Sequence, residues 1–247
     1  MRTLLTLSLV FHAAIAFSQT SPVGVSPLVE AGIPALSREW MGDDYLQAAK
    51  VLAQGKLPLP RVADDQGRLF FQRLTATENL SLFQNRTLPL QSRMPSFFNL
   101  LEGVSAISKQ YMAAATKGLD VHAEMAQQQA FGLRMVAVGM QLMDEFIPTI
   151  PQDEKYAVRM AGVKQAYSGL TSMFVGAEMS LSEARFYSPA DLTLLLKAMA
   201  ETLPLAKKAF TADYKLELRN KLKAHQATFT GAEDAKTLDQ MIAELAA

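Results

Sequence analysis

The sequence predicts an all-α protein: an up-and-down antiparallel helical bundle carrying an extended Pro/Gly-rich N-terminal arm. Three observations predict it. From Pro95 onward apolar residues recur at threes and fours, the period of one helix face. Capping residues, prolines and glycines punctuate those stripes closely enough to make successive helices antiparallel neighbours. No segment alternates apolar and polar residues long enough to form a sheet strand.

The chain opens with Arg2, an apolar run from Leu4 to Ala16, and small residues at Ala14, Ala16 and Ser18. That order reads as a signal peptide over residues 1–18, cleaved after Ala16 or Ser18. The run includes His12 and falls short of the ~20 apolar residues of a bilayer span, so no transmembrane segment is expected after cleavage. The expected address is therefore exported, periplasmic or secreted. With no cysteine there is neither a lipid acceptor nor a disulfide framework. The 24 basic and 24 acidic residues balance, so the basic excess of a nucleic-acid binder is missing and none is expected as a partner.

Residues 19–42 interleave Pro22, Pro27 and Pro34 with Gly24, Gly32 and Gly42. They read as an extended arm, lying on the body or loose from it, that contributes little to stability. Residues 43–247 read as a single helical domain. Asp43 or Asp44 caps a short helix through Gln54, which Gly55, Pro58 and Pro60 end. A second helix covers Asp65 to Leu74, and Thr75 to Glu78 has capping-box spacing for another. Asn79-Leu-Ser81 and Asn85-Arg-Thr87 match the glycosylation pattern, read here as coincidence.

The long helices follow. Pro95 to Lys117 presents Phe97, Leu101, Val104, Ile107 and Tyr111 on one face, with Gly118 as C-cap and Asp120 as the next N-cap. Val121 to Ile147 presents Met125, Leu133, Val136, Met140 and Met143. After Pro148 and Pro151 a third long helix runs to about Ala184, with Tyr156, Met160, Val163, Tyr167, Leu170, Phe174, Ala177 and Leu181 on its stripe. Ser188-Pro189-Ala-Asp191 starts the next, which kinks at Pro204 or restarts with Thr202 as cap. A stretch with Phe210, Tyr214, Leu218 and Leu222 follows. Thr230 to Glu233 is a second capping box, before Leu238, Met241, Ile242 and Leu245.

Glycines are the unusual feature. Gly132 and Gly139 lie seven residues apart on one helix, and Gly162, Gly169 and Gly176 repeat that spacing on the next. Each costs about 1 kcal/mol relative to alanine inside a helix, so the pattern asks for a cause. Folding the hairpin about Pro148 to Pro151 pairs Gly132 with Gly169, Gly139 with Gly162, and Met125 with Gly176. The favoured expectation is a helix-packing seam in which two backbones approach closely. The alternative is a slot for a flat or linear ligand.

Chemistry is sparse. Thiol catalysis and thiolate metal sites are excluded, and His122 and His225 are the two histidines beyond the signal. Neither follows a glutamate by three, as a di-metal carboxylate bundle requires. No Gly-x-Ser-x-Gly elbow, phosphate loop or dinucleotide fingerprint occurs. His225 reads as a partly buried structural residue. His122, Met125, Met140 and Met143 form the nameable metal-ligand candidates, since imidazole and thioether suit Cu(I) or haem. Against that, the 13 methionines are spread along the chain as core filler. The reading leans away from an enzyme and expects no cofactor. It favours a non-enzymatic binding, scaffold or assembly protein of the envelope or secreted fraction, with a protein or small ligand as partner. A ligand-, metal- or haem-binding bundle, and an enzyme whose site only the fold assembles, stay open.

Overall fold

The computed structural model describes residues 26–246, and the expected signal peptide lies outside them. The described chain is all-α, with ten helices: α1 (Pro27–Glu30), α2 (Gly42–Ala53), α3 (Asp65–Leu74), α4 (Glu78–Gln84), α5 (Leu90–Ala115), α6 (His122–Phe146), α7 (Tyr156–Ser182), α8 (Pro189–Ala206), α9 (Ala212–Ala224) and α10 (Ala232–Glu244). No strand occurs among the described residues, and no helix is long and apolar enough to cross a membrane.

Two hydrophobic cores share α6. Phe131, Met135, Val138 and Leu142 recur at fours and threes and share a core with residues of α2, α3, α4 and α5. Ala126, Ala130, Leu133, Val136 and Met140 occupy the opposite face, meet α7 and α8, and share a core with residues of α9 and α10. A helix between two cores must be apolar on both sides, and α6 buries Glu124 and Gln128 besides its apolar residues. The single apolar stripe expected for it is thus half of what it buries.

The N-terminal core is aromatic. Trp40, Tyr45, Phe70, Phe71 and Tyr111 are each fully buried and meet edge to face. Its polar centre is Asn79, 0 % exposed, whose Oδ1 accepts from the Trp40 amide at 3.0 Å. The Asn79 Nδ2 donates to Tyr45 Oη at 2.6 Å and to the Arg73 carbonyl at 2.7 Å. A sequon asparagine committed in this way is closed to glycosylation. The described part of the arm lies on the body: Leu28, Ile33 and Trp40 are buried, and Trp40 Nε1 donates to the Ala35 carbonyl. It therefore contributes to the core, contrary to the small role expected from its prolines and glycines, because three apolar anchors hold it down.

Several ends differ from the sequence reading. α5 starts five residues early and takes Pro95 into its second turn, where the unpaired carbonyl belongs to exposed Gln91. Thr75 caps the end of α3 by donating to the Phe71 carbonyl, so the expected capping box does not form before α4. α8 runs through Pro204 to Ala206, and the Thr202 hydroxyl, instead of capping, donates to the Leu133 carbonyl of α6 at 3.0 Å. α10 is preceded by Gly231 without a side-chain cap, while Asp234 accepts from Thr193 of α8 at 2.6 Å. Ser188 and Asp191 form the expected capping box of α8. Gly118 takes the positive φ, 87°, of a helix-ending glycine.

Candidate functional site

α5, α6 and α7 do not close on one another along their whole length. Between them lies a groove of about 820 Å³. α5 supplies Phe97, Leu101 and Val104, and exposed Phe98 and Met112 stand at its rim. α6 supplies Met125, Gln128, Met135, Gly139, Leu142 and Met143. The α7 wall is built almost wholly of small residues: Ala166, Gly169, Ser172 and Gly176, with Met173 the one long side chain. No Asp, Glu, Lys, Arg or His is among the lining residues.

The glycines that prompted the seam sit differently along this hairpin. A Cβ built on Gly162, Gly169 or Gly176 meets nothing within 4 Å, and Gly169 and Gly176 open onto the groove. At Gly132 the approach is close, but the neighbour is the Met173 methyl at 2.7 Å, one helical turn beyond Gly169. Gln129 pairs with Ser180, at 2.7 Å, a further step in the same direction. The turn accounts for part of the shift: residues 147–155 end α6 in a 3₁₀ turn and delay α7 to Tyr156, which moves the centre of the connection to Pro151. The first part of α7 is correspondingly bare, with Tyr156 37 % and Val158 73 % exposed.

Two polar features mark the walls. Gln128 is 3 % exposed; its Oε1 accepts from Ser108 Oγ at 2.7 Å, and its Nε2 has no partner among the described residues. A buried amide left half-satisfied is costly and marks a site for a missing acceptor. Across α7 a smaller cavity of about 550 Å³ is bordered by Tyr167 and Tyr214. Burial pushes both phenols up to about 12; Tyr167 Oη donates to Asp144 at 3.2 Å, and Tyr214 Oη has no partner among the described residues.

Of the four metal candidates, two, Met125 and Met143, reach the walls of the same groove. His122 Nδ1 is 2.6 Å from Asp120 Oδ1, and its ring stacks on Phe186 with a centroid separation of 5.4 Å. Met125 borders the groove, Met140 belongs to the C-terminal core, and Met143 borders the groove while packing with Ile150 and Val163. No cluster of three or more His, Cys, Asp or Glu side chains suited to a metal occurs among the described residues. The helix periodicity that put His122 beside Met125 and Met140 beside Met143 sends the members of each pair into different surroundings.

His225 ends α9 against a buried carboxylate that sequence spacing did not reveal. Glu178 of α7, 2 % exposed, accepts from Ser182 Oγ at 3.0 Å and from Lys221 Nζ at 3.1 Å. The His225 Nε2 lies 3.4 Å from Ser182 Oγ and 3.7 Å from Glu178 Oε1. Serine, histidine and acid are thus adjacent, but the acid and the serine share one ring nitrogen, whereas a triad needs the acid on the other. The serine proton is directed at the glutamate. The arrangement satisfies a buried charge and ties α7 to α9.

A second buried carboxylate, Glu124 of α6, is held by Arg61 Nε at 3.0 Å and the Val62 amide at 2.8 Å. It pins the loop between α2 and α3 to α6. Neither glutamate lines the groove. The chain matches no family model, no curated protein and no solved structure.

Proposed function

We propose that this chain is an exported, non-enzymatic binding protein that holds an apolar small molecule in the groove between α5, α6 and α7. The observation that supports it is the α7 wall: glycines whose Cβ positions are empty border a cavity of about 820 Å³, a volume within the ~300–1,000 Å³ typical of ligand pockets. Glycine costs about 1 kcal/mol in each helical position, and helix–helix contact does not offset that cost where no helix touches the Cβ position. Room for a ligand does. Six methionines, Met94, Met112, Met125, Met135, Met143 and Met173, line the groove and adapt their unbranched side chains to an apolar guest. Export rests on the signal-like residues 1–18, and places the ligand outside the cytoplasm.

The test is titration of the protein with N-phenyl-1-naphthylamine, an uncharged dye that fluoresces in apolar surroundings, alongside the groove-filling variant Gly169→Trp. Saturable one-to-one binding that the variant abolishes while keeping its helical circular dichroism supports the reading. Equal binding by both proteins, or no saturable binding to the wild type, overturns it. Exported protein whose intact mass still includes Met1 would overturn cleavage of the signal.

A further inference from the structure

We infer that the groove selects an uncharged amphiphile with a hydroxyl group, of the long-chain alcohol class, and that Gln128 is the residue that makes the selection. The inference rests on the groove being a ligand site. It adds which molecule the site takes and by what contact.

Charge comes first. No ionisable side chain lines the groove, so a carboxylate or phosphate drawn into it would lose its hydration without a cation to replace it. An ammonium would find no carboxylate. A pure hydrocarbon fits the methionines and glycines but leaves the Gln128 amide as it is, half-satisfied and 3 % exposed. One hydrogen-bonding group on the ligand is therefore required, and it must be neutral.

Geometry then specifies the group. The Ser108 hydroxyl occupies one end of the Gln128 amide, at 2.7 Å, and the other end is buried without a partner among the described residues. With Oε1 toward Ser108 the unpartnered atom is an N–H donor; with the amide turned over, Ser108 accepts and the unpartnered atom is a carbonyl acceptor. A hydroxyl satisfies both arrangements, because it donates and accepts, whereas an ester or ether satisfies only the first. The last torsion of a glutamine side chain is broad, so the amide turns toward a guest at small cost. Ser105 and Ser172 are the other hydroxyls on the walls, both exposed, and water meets their needs. Gln128 alone among the lining residues combines deep burial with a missing partner.

Displacement of bound N-phenyl-1-naphthylamine by 1-dodecanol and by dodecanoate at pH 8 tests this. The two share a chain length and differ in the charge of the head. Dodecanol is expected to displace the dye at a concentration at least about tenfold lower than dodecanoate, whose charge would lose its hydration with no cation in the walls to replace it. In Gln128→Leu, and in the more nearly isosteric Gln128→Met, the concentration of dodecanol needed to displace the dye should rise by about tenfold, the loss of one buried hydrogen bond. Equal or better displacement by dodecanoate overturns the inference while leaving the groove reading intact. So does an unchanged dodecanol concentration in both variants. Absence of saturable dye binding to the wild type overturns the groove reading and the inference with it.

Discussion

Two sets of helical glycines serve opposite purposes in this molecule. Gly103 of α5 follows no repeat and carries no signal in the sequence, yet a Cβ there would sit 2.5 Å from the carbonyl carbon of Tyr45 and 2.8 Å from the Leu46 nitrogen of α2. Gly42 and Gly67 are likewise filled against backbone, of Ser96 and Arg61. The heptad-spaced Gly162, Gly169 and Gly176 meet nothing. Spacing shows that small residues share a face; it does not show whether a neighbour occupies the space they leave. The N-terminal half uses its glycines to bring helix axes together, and the groove uses them to keep a wall thin.

That contrast is open to attack at several points, the largest effect first. Asn79→Ala should strip the Trp40 amide of its buried partner and remove the hydrogen bonds to the Arg73 carbonyl and to the Tyr45 hydroxyl, which keeps the Leu74 carbonyl. A loss of about 4 kcal/mol is expected, from one orphaned amide at about 2 kcal/mol and two further lost hydrogen bonds at about 1 kcal/mol each. Urea unfolding measures it; a loss below about 1 kcal/mol would mean that the N-terminal core is wetter than its burial indicates. Gly103→Ala should follow at about 3 kcal/mol, because the added methyl meets rigid backbone instead of a side chain that can turn away. Finding that substitution neutral would erase the difference between the two glycine sets.

The third effect is pH-dependent. Arg93, 4 % exposed, donates to Glu145 and to the Leu88 and Phe83 carbonyls, and its hydrogen bond holds the Glu145 carboxyl below the usual carboxylate range. A depressed folded-state value means the stabilisation is complete above the unfolded carboxylate value near 4.3 and disappears as pH falls through the lower folded value. Glu145→Gln should lower stability by about 1 kcal/mol at pH 7 and change it little at pH 2.5. Melting temperatures of both proteins across that range decide it, and parallel curves would refute the pairing. The smallest effect has the opposite sign: Gly169→Ala should raise stability by up to about 1 kcal/mol, the helix-propensity gain where no neighbour resists the methyl. A destabilised Gly169→Ala would restore the close seam and remove the groove.

How much of this was legible follows from what each signal measures. Helix identity was readable, since Ser188 with Asp191 and the 3.6-residue stripes are local chemistry. The α3 bounds, Asp65 to Leu74, were likewise readable. The two-core plan was not: α6 is apolar on both sides, and a search for one stripe finds one. The register of α6 against α7 was inferred from a turn centred between Pro148 and Pro151, whereas the connection over residues 147–155 centres on Pro151. Of the groove, the sequence displayed the glycine wall and offered a ligand slot as the alternative use. It gave no sign of Gln128, because a glutamine among Gln127, Gln128 and Gln129 reads as solvated until burial distinguishes one of the three. Likewise His225 was visible, while Glu178 and Ser182, far away in the chain, became its neighbours only through the packing of α7 on α9.

Trp40 is the sole indole in the chain, 0 % exposed, enclosed by Tyr45 and Phe70 in the aromatic core. Its emission is thus a built-in optical reporter of one half of the protein: blue-shifted while that core is shut, shifting red when it opens. Circular dichroism averages the helices of both halves. Recording the two signals in one denaturant titration separates a molecule that melts as one unit from one in which α6 holds its second partner after losing the first, since only the latter gives midpoints that differ. And because the groove contains no indole of its own, a guest entering it should leave the emission maximum in place, so that any shift on adding ligand would report a change transmitted through α6.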